Sequence, residues 1–182
     1  MSDHSQSVIF PSVGEQDAAS LGGDLLAWLV SEGILIFTPC DCVLSSALGY
    51  PPGPNYVAAT GMADGNLLQL KTNGAEFSIR RTVFDAGGNG FSLICPSCAA
   101  RFERLPHWGD AVNDWFCSAG EGQLACPACS VTQTVEEWLY DPPYGFASFG
   151  ITFWNWPHLT EGFIQALAAR TGHCAQVIRA SI

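Results

Sequence analysis

Four cysteines in two closely spaced pairs are the residues of this chain best suited to chemistry. The pairs are Cys95-Pro96-Ser97-Cys98 and Cys126-Pro127-Ala128-Cys129. Two such pairs, brought together, place four thiolates at the corners of a tetrahedron, which is the ligand set of many structural zinc sites. We therefore predict one zinc ion per chain, bound by Cys95, Cys98, Cys126 and Cys129. A site of this kind has no open coordination position, so we expect the metal to stabilise a fold rather than to catalyse a reaction.

Other uses of these cysteines fit the same spacing. A single Cys-Pro-x-Cys pair could be redox-active, although such a pair normally opens a helix after a strand and occurs once per site. Iron in a rubredoxin-like site, or two paired disulfides, would use the same four residues. Cys117 lies between the pairs and could replace one ligand, but the two pairs already complete four-fold coordination. Zinc is the favoured interpretation.

Residues 91–140 resemble a zinc ribbon, because the two cysteine pairs match the two knuckles of that family. The resemblance implies a small metal-stabilised module, and it is specific for fold and metal rather than for activity. The chain departs from the commonest form of the motif, since neither Cys98 nor Cys129 is followed by glycine. Zinc ribbons often bind nucleic acid, yet only Arg101 and Arg104 stand against six acidic residues in this segment. We therefore do not extend that activity to this chain.

A second resemblance covers residues 91–182. The chain is similar to small bacterial cytoplasmic proteins in which two Cys-Pro-x-Cys knuckles precede a Phe-Trp-Asn-Trp segment, here Phe153 to Trp156, and a closing helix and strand. This resemblance implies no established activity. Its value is that it groups the knuckles and the last part of the chain into one pattern.

The elements that must position the knuckles are predicted to begin with a β-α-β unit. Ser7–Phe10 is a short apolar run typical of a strand. Ser12, followed by Glu15 three residues later, matches a capping box that would begin a helix. Gly33 is a plausible end for that helix. Ile34–Phe37 then predicts a second, buried strand.

The last part of the chain repeats this plan. The apolar run Phe149–Trp156 predicts a strand. Pro157 is expected to be the first residue of the helix that follows, and Gly172 is expected to end it. The segment His173–Ile182 predicts a closing strand. Two such units predict an α+β fold, a ferredoxin-like sandwich with helices on one face of a mostly antiparallel sheet. We expect residues 1–90 and 141–182 to form this core and residues 91–140 to be an inserted zinc-ribbon module.

The segment that leads into the first knuckle is predicted to be a β-hairpin. Glu76–Phe84 alternates apolar and polar residues, residues 85–90 form a turn, and Phe91–Ile94 is a short apolar run that ends beside Cys95. Trp and Phe residues flank the knuckles and precede the last helix. We expect most of them to pack the ribbon onto the sheet, because a metal ribbon alone buries little surface.

Charge and composition narrow the choice of partners. The 182 residues include 7 Lys and Arg against 17 Asp and Glu, a net charge of −10, and residues 1–70 contain no base. Such a surface repels polyanions and suits a basic protein partner, although it also simply favours solubility. No apolar run approaches the ~20 residues of a membrane helix, and no secretory signal is visible. We expect a cytoplasmic protein that does not bind membranes.

These observations favour a non-catalytic zinc protein that acts by protein–protein binding, as an immunity or adaptor protein does. One alternative is an enzyme or small-molecule binder with a pocket between sheet and ribbon, using Cys40, Cys42, Arg80 or His158. A second alternative, a nucleic-acid-binding ribbon, is disfavoured by the charge. The four histidines form no metal motif, and no nucleophile elbow or phosphate loop is present. The sequence predicts no catalytic residues and no cofactor besides zinc.

Overall fold

The computed structural model describes residues 3–45, 47–63, 65–88 and 90–182 of the chain, which form mixed α/β structure with several antiparallel sheets. The strands are β1 His4–Ile9, β2 Ala75–Ser78, β3 Thr82–Phe84, β4 Ser92–Ile94, β5 Arg101–Phe102, β6 Gln123–Ala125, β7 Thr132–Thr134, β8 Leu139–Asp141, β9 Gly145–Ala147, β10 Gly150–Trp154 and β11 Gln176–Ser181. The helices are α1 Glu15–Ser31, α2 Val57–Thr60, α3 Trp108–Phe116 and α4 Glu161–Thr171, with a short 3-10 helix at Leu67–Gln69.

The largest sheet has four strands in the order β11-β1-β10-β2, and all neighbours are antiparallel. In this sheet Ser7 lies opposite Thr152 on β10 and Ile178 on β11. Helices α1 and α4 pack on one hydrophobic core with the sheet, and the rings of Trp28 and Phe163 stack between the helices at 6.2 Å. The predicted first strand, the strand before α4 and the closing strand are therefore confirmed.

Helix α1 ends where the sequence indicates, but it begins differently. Gly33 follows the helix with a left-handed φ of 68°, as expected of a stop signal. The predicted capping box is wrong, because Gly14 is the N-cap residue and no side chain caps it. The Ser12 hydroxyl is instead 2.8 Å from Nδ1 of His173, so it ties the start of α1 to the loop after α4. Within the helix, Gly22 lets the backbone approach Phe149 of the sheet closely.

The predicted strand at Ile34–Phe37 is wrong. Ile34 and Leu35 are buried, but Ile36 is 46% and Phe37 67% exposed, and Leu35 makes only a single bridge, to Pro52. The physical reason lies in the sheet, where β2 (Ala75–Ser78) takes the position beside β10 that the second strand of the first unit would occupy. The next strand of the sheet after α1 is β2, reached only after a long loop-rich segment.

Helix α4 also begins later than predicted, so Pro157 is not its first residue. Thr160 is the N-cap, and its hydroxyl accepts a hydrogen bond of 3.2 Å from the backbone N–H of Phe163. The helix ends at Gly172, whose φ of 73° confirms the predicted stop. The apolar stripe of this region is buried, as its spacing indicates: Leu159, Phe163, Ile164 and Leu167.

An interrupted ladder of strand pairs leads from the large sheet to the knuckles. Strand β2 pairs with β10, β3 with β9, and β4 with β8, all antiparallel. Phe84 therefore lies opposite Gly145, and Ser92 opposite Asp141. The predicted hairpin between Glu76–Phe84 and Phe91–Ile94 is wrong, because β2 and β3 pair with β10 and β9, while β4 pairs with β5 and β8.

The buried residues form separate hydrophobic clusters. One lies between the large sheet and its helices and includes Phe149, Phe153 and Trp156. A second lies inside the knuckle region and consists of Leu93, Cys95, Leu105, Ala111, Trp115, Leu124, Cys126, Val135, Trp138 and Phe146. Most of the flanking aromatic residues are packed, but Trp115 and Trp138 lie in the cluster inside the knuckle region rather than between the knuckles and the large sheet as predicted, and Phe116 is 47% exposed.

The Phe-Trp-Asn-Trp segment acts as a connection between distant parts of the chain. Asn155 is 8% exposed and adopts a left-handed φ of 58°. Its side-chain oxygen accepts from the His4 N–H at 2.9 Å, and its amide donates to Asp3 at 2.6 Å and to the Thr72 carbonyl at 2.9 Å. Trp156 donates from Nε1 to the Asn73 carbonyl at 2.7 Å. The segment therefore fastens β1 and the loop before β2 to the end of β10.

Candidate metal centre

Both cysteine pairs sit at the turn of a short β-hairpin. The first pair joins β4 to β5 and the second joins β6 to β7. The two turns have the same pair of backbone hydrogen bonds. In the first, the Cys95 N–H donates to the Ala100 carbonyl at 2.9 Å and the Ala99 N–H donates to the Cys95 carbonyl at 2.8 Å. In the second, the Cys126 N–H donates to the Val131 carbonyl at 2.9 Å and the Ser130 N–H donates to the Cys126 carbonyl at 2.8 Å. The two sequence repeats therefore fold into equivalent knuckles that present their sulfurs in the same way.

The residue after each second cysteine has a left-handed backbone. Ala99 has a φ of 58° and Ser130 a φ of 61°. This conformation explains why the commonest form of the motif has glycine there, because a side chain in the left-handed region is sterically unfavourable. Ala99 and Ser130 are both exposed, so neither side chain gains burial in return. The departure from the motif changes the stability of the knuckles, not their geometry.

The four sulfur atoms converge on one point. The Sγ atoms of Cys95 and Cys129 are 3.8 Å apart, as are those of Cys98 and Cys126, and all four lie within 4.8 Å of one another. A tetrahedral zinc ion with Zn–S bonds of about 2.3 Å requires sulfur separations of about 3.8 Å. A disulfide requires about 2.05 Å, and all eight cysteines are free thiols. The donor set and its spacing thus fit a tetrahedral metal ion.

The hydrogen bonds of the knuckles make the four thiols unequal. Burial opposes ionisation of Cys95, but the backbone N–H groups of Cys98 and Ser97 outweigh it and lower its pKa to about 7. At Cys98 the Ala100 N–H favours the thiolate, but burial and the neighbouring thiols prevail and raise its pKa to about 12. The thiols must lose their protons to bind a metal, and a thiolate forms more readily at Cys95 than at Cys98.

The site joins the hydrophobic core of the knuckle region to its surface. Cys95 and Cys126 are fully buried within that core, Cys129 is half-buried and Cys98 is exposed. A metal bound here would link the two hairpins through their cysteines, two of which belong to this core. Its loss would therefore loosen the packing around Trp115 and Trp138 as well as the knuckles.

The remaining cysteines lie outside the site. Cys117 is exposed, with its sulfur 3.6 Å from Oδ1 of Asn113, and it does not join the metal-ligand group of the described residues. Cys174 and Cys40 are exposed too. Cys42 is buried, and burial, reinforced by the adjacent Cys40 thiol, raises its pKa to about 12. The expectation that Cys117 is not a ligand agrees with this placement.

A cleft does lie between the large sheet and the knuckle region, but the residues proposed for it are elsewhere. The cleft has a volume of about 260 Å³ and is lined by Pro11, Glu136, Trp138, Leu139, Tyr140, Pro143, Tyr144, Gly145, Phe146 and Gln176. Cys40, Cys42, Arg80 and His158 are absent from this lining, and both Arg80 and His158 are exposed. A larger, open groove of about 720 Å³ on the knuckle region contains none of them either.

Arg81 is a connecting residue that the sequence did not single out. Its guanidinium donates to the carbonyls of Trp115 at 2.8 Å and Gly120 at 3.3 Å, and it lies 3.5 Å from a carboxylate oxygen of Glu15 on α1. It also lies over the Trp115 ring, 5.3 Å from the centroid. Arg80 and Arg81 are adjacent in the sequence, and only the strand's alternation of sides could have indicated which of them turns inward.

Comparison of the chain with protein-family models, with curated proteins and with solved structures finds no match. Within the described residues, no helix has the length and apolar character needed to span a bilayer. The functional interpretation therefore depends on the geometry of the four cysteines and of the surfaces around them.

Proposed function

We propose that this chain is a non-catalytic zinc protein, in which the metal fixes an inserted ribbon module to an α+β core that acts by binding another protein. The observation that carries the proposal is the convergence of four thiols, with two sulfur pairs 3.8 Å apart and all four sulfurs within 4.8 Å of one another, which suits one tetrahedral ion. Zinc is favoured over iron because a closed four-cysteine site is a common structural zinc site, and because no electron-transfer partner is needed to explain the fold.

The proposal includes a specific fold. We infer that the sheet β11-β1-β10-β2 with α1 and α4 is a ferredoxin-like sandwich, and that residues 91–140 are a zinc ribbon inserted into it. In support, β10 lies between β1 and β2, while β1 lies between β10 and β11. Both β-α-β units are then split by a strand of the other unit, which is the defining arrangement of that fold.

The metal assignment is tested by elemental analysis of protein purified without chelator under reducing conditions. We expect one zinc per chain, and a loss of nearly all zinc when Cys98 is replaced by serine. Cys117→Ser is the matched control, because Cys117 is also an exposed cysteine of the same region but lies outside the ligand group. Protein that contains no metal, or iron with the visible absorbance of a thiolate site, would refute the assignment.

The protein-binding role is supported by charge. The chain has a net charge of −10, so a basic protein is the complementary partner, in the manner of an immunity or adaptor protein, and the compartment we propose is the cytoplasm. A nucleic acid would be repelled by the same charge. The test is a pull-down with zinc-loaded protein in which bound proteins are released stepwise by salt. We expect a basic partner that elutes as salt screens the contact, and recovery of no protein, or of nucleic acid alone, would contradict the proposal.

A further inference from the structure

The cleft between the large sheet and the knuckle region has an unusual lining. Of the described residues that line it, four are aromatic, and they are Trp138, Tyr140, Tyr144 and Phe146. Glu136 is its one charged residue, and neither Lys nor Arg is present there. With a volume of about 260 Å³, the cleft is near the lower limit of ~300 Å³ for typical ligand pockets, so it suits a small molecule.

The aromatic wall is held in place by its own contacts. The rings of Tyr140 and Tyr144 stack at 5.4 Å, and Tyr140 lies 5.6 Å from Phe146. The Tyr140 hydroxyl donates to the Val135 carbonyl at 2.8 Å and is 3.4 Å from Nε1 of Trp108. These bonds fix the orientation of the central ring. A ligand would therefore meet a preformed aromatic surface, which reduces the entropy lost on binding.

Glu136 brings the one carboxylate of the cleft lining to this surface, and the residue is exposed. Partial burial of the carboxyl group raises its pKa, although the Trp115 side chain and the charge of Arg81 both favour the ionised form. A positive charge placed in the cleft would lie beside this carboxylate and would favour its ionised form.

Trp138 forms the buried back of the cleft. It is 2% exposed, and its Nε1–H is buried without a hydrogen-bond acceptor among the described residues. Because this atom is not open to the cleft, Trp138 serves as a reporter of the site rather than as a hydrogen-bond partner of the ligand.

We propose that this cleft binds a small organic cation of the quaternary-ammonium class, with its charged head against the aromatic rings and beside Glu136. Aromatic faces carry partial negative charge and attract such cations, which are too weakly hydrated to prefer water strongly. The site does not depend on the protein-binding role, and it requires only that the knuckle region stay packed on the sheet.

The test compares choline with 3,3-dimethyl-1-butanol, which has the same shape and hydroxyl but no charge. Each is titrated into zinc-loaded full-length protein at constant ionic strength, and the NMR signal of the Trp138 indole N–H is followed. We expect saturable binding of choline and at least about tenfold weaker binding of the neutral compound. Equal affinity for the two compounds, or no saturable shift with choline, would overturn the proposal.

Matched variants locate the site. Glu136→Gln and Tyr144→Leu are expected to weaken choline binding at least about fivefold, whereas Tyr144→Phe keeps the ring and should change it less than about twofold. Glu137→Gln is the control, because it removes the same charge from the adjacent residue, which does not line the cleft. Zinc content and circular dichroism show that each variant is folded. Equal losses in Glu136→Gln and Glu137→Gln would mean that general charge attraction, and not this cleft, causes binding.

Discussion

Replacing Ala99 and Ser130 by glycine is expected to stabilise the zinc-loaded protein. Both residues follow the second cysteine of a knuckle and have left-handed φ values of 58° and 61°. A side chain in that region costs about 1–2 kcal/mol, and glycine removes this cost. Glycine also gives the unfolded chain more freedom, which subtracts about 0.4–1 kcal/mol from the gain. The difference predicts a stabilisation of about 0.5–1 kcal/mol at each site.

The assay is urea unfolding with zinc in excess, followed by tryptophan fluorescence. With a slope of about 2 kcal/mol per molar urea, each substitution should raise the midpoint by about 0.3–0.5 M without changing the slope. The two knuckles are distinct turns, so the double variant should gain approximately the sum.

Ala100→Gly is the matched control, because Ala100 is the next residue of the first knuckle and its φ is not left-handed. At this position glycine relieves no backbone strain and only increases the conformational freedom of the unfolded chain. We therefore expect the free energy of unfolding to fall by about 0.5–1 kcal/mol. If Ala99→Gly lowered the midpoint as Ala100→Gly does, the explanation of the missing glycines would be refuted. A changed slope would instead indicate that the substitution alters the structure of the knuckle, which also contradicts the reasoning.

Three further predictions concern the residues that connect the parts of the protein. Arg81→Met removes the contacts to Trp115, Gly120 and Glu15, so it should lower the free energy of unfolding, measured with urea, by about 1–3 kcal/mol. Arg80 is exposed, so the control Arg80→Met should change that free energy by less than about 0.5 kcal/mol. Equal effects would show that Arg81 is not a connecting residue. Asn155→Ala should lower the free energy of unfolding by about 2–4 kcal/mol, because it removes the hydrogen bonds to Asp3 and Thr72. Asn155→Gly should lower it by about 1 kcal/mol less, since glycine tolerates the left-handed φ. A larger loss in the glycine variant than in the alanine variant would contradict the backbone argument. At pH 8, iodoacetamide should modify the exposed Cys40, Cys117 and Cys174 in the zinc-loaded protein. Chelation should add Cys95, Cys98, Cys126 and Cys129, because loss of the metal loosens the knuckles and with them the contacts that set the pKa values of these thiols. Cys42 should react only in denaturant, because it is buried in the core that the metal does not hold and burial raises its pKa to about 12. Intact mass spectrometry counts the adducts, and early modification of Cys42 would refute its protection.

The parts of the fold that sequence predicted well are those encoded by local chemistry. Cysteine spacing predicted which four thiols come together, since a knuckle is a turn within one short segment. The apolar stripe of α4 and the glycines after α1 and α4 are equally local signals. In each case the residues that decide the structure lie within a few positions of one another.

The errors arose where tertiary contacts override local patterns. Ser12 has the spacing of a helix cap but bonds His173, a residue from the other end of the chain. Ile34–Phe37 has the composition of a strand, but β2 takes the position beside β10 that this strand would occupy. Strands β3 and β4 look like a hairpin because they are near in sequence, while their partners β9 and β8 follow the knuckles. The amino-acid pattern of a single segment does not indicate contacts with residues that are distant in the sequence.

The interrupted strand ladder determines where residues can be inserted into or removed from this chain. Since Phe84 and Gly145 lie opposite each other, the two ends of the intervening segment meet at adjacent positions. The distance between these ends does not depend on how many residues lie between them. The segment can therefore lengthen, shorten or be exchanged for another module, while the register of β2 on β10 stays the same. The ladder acts as an attachment point, at which new structure can be gained or lost without rebuilding the sheet.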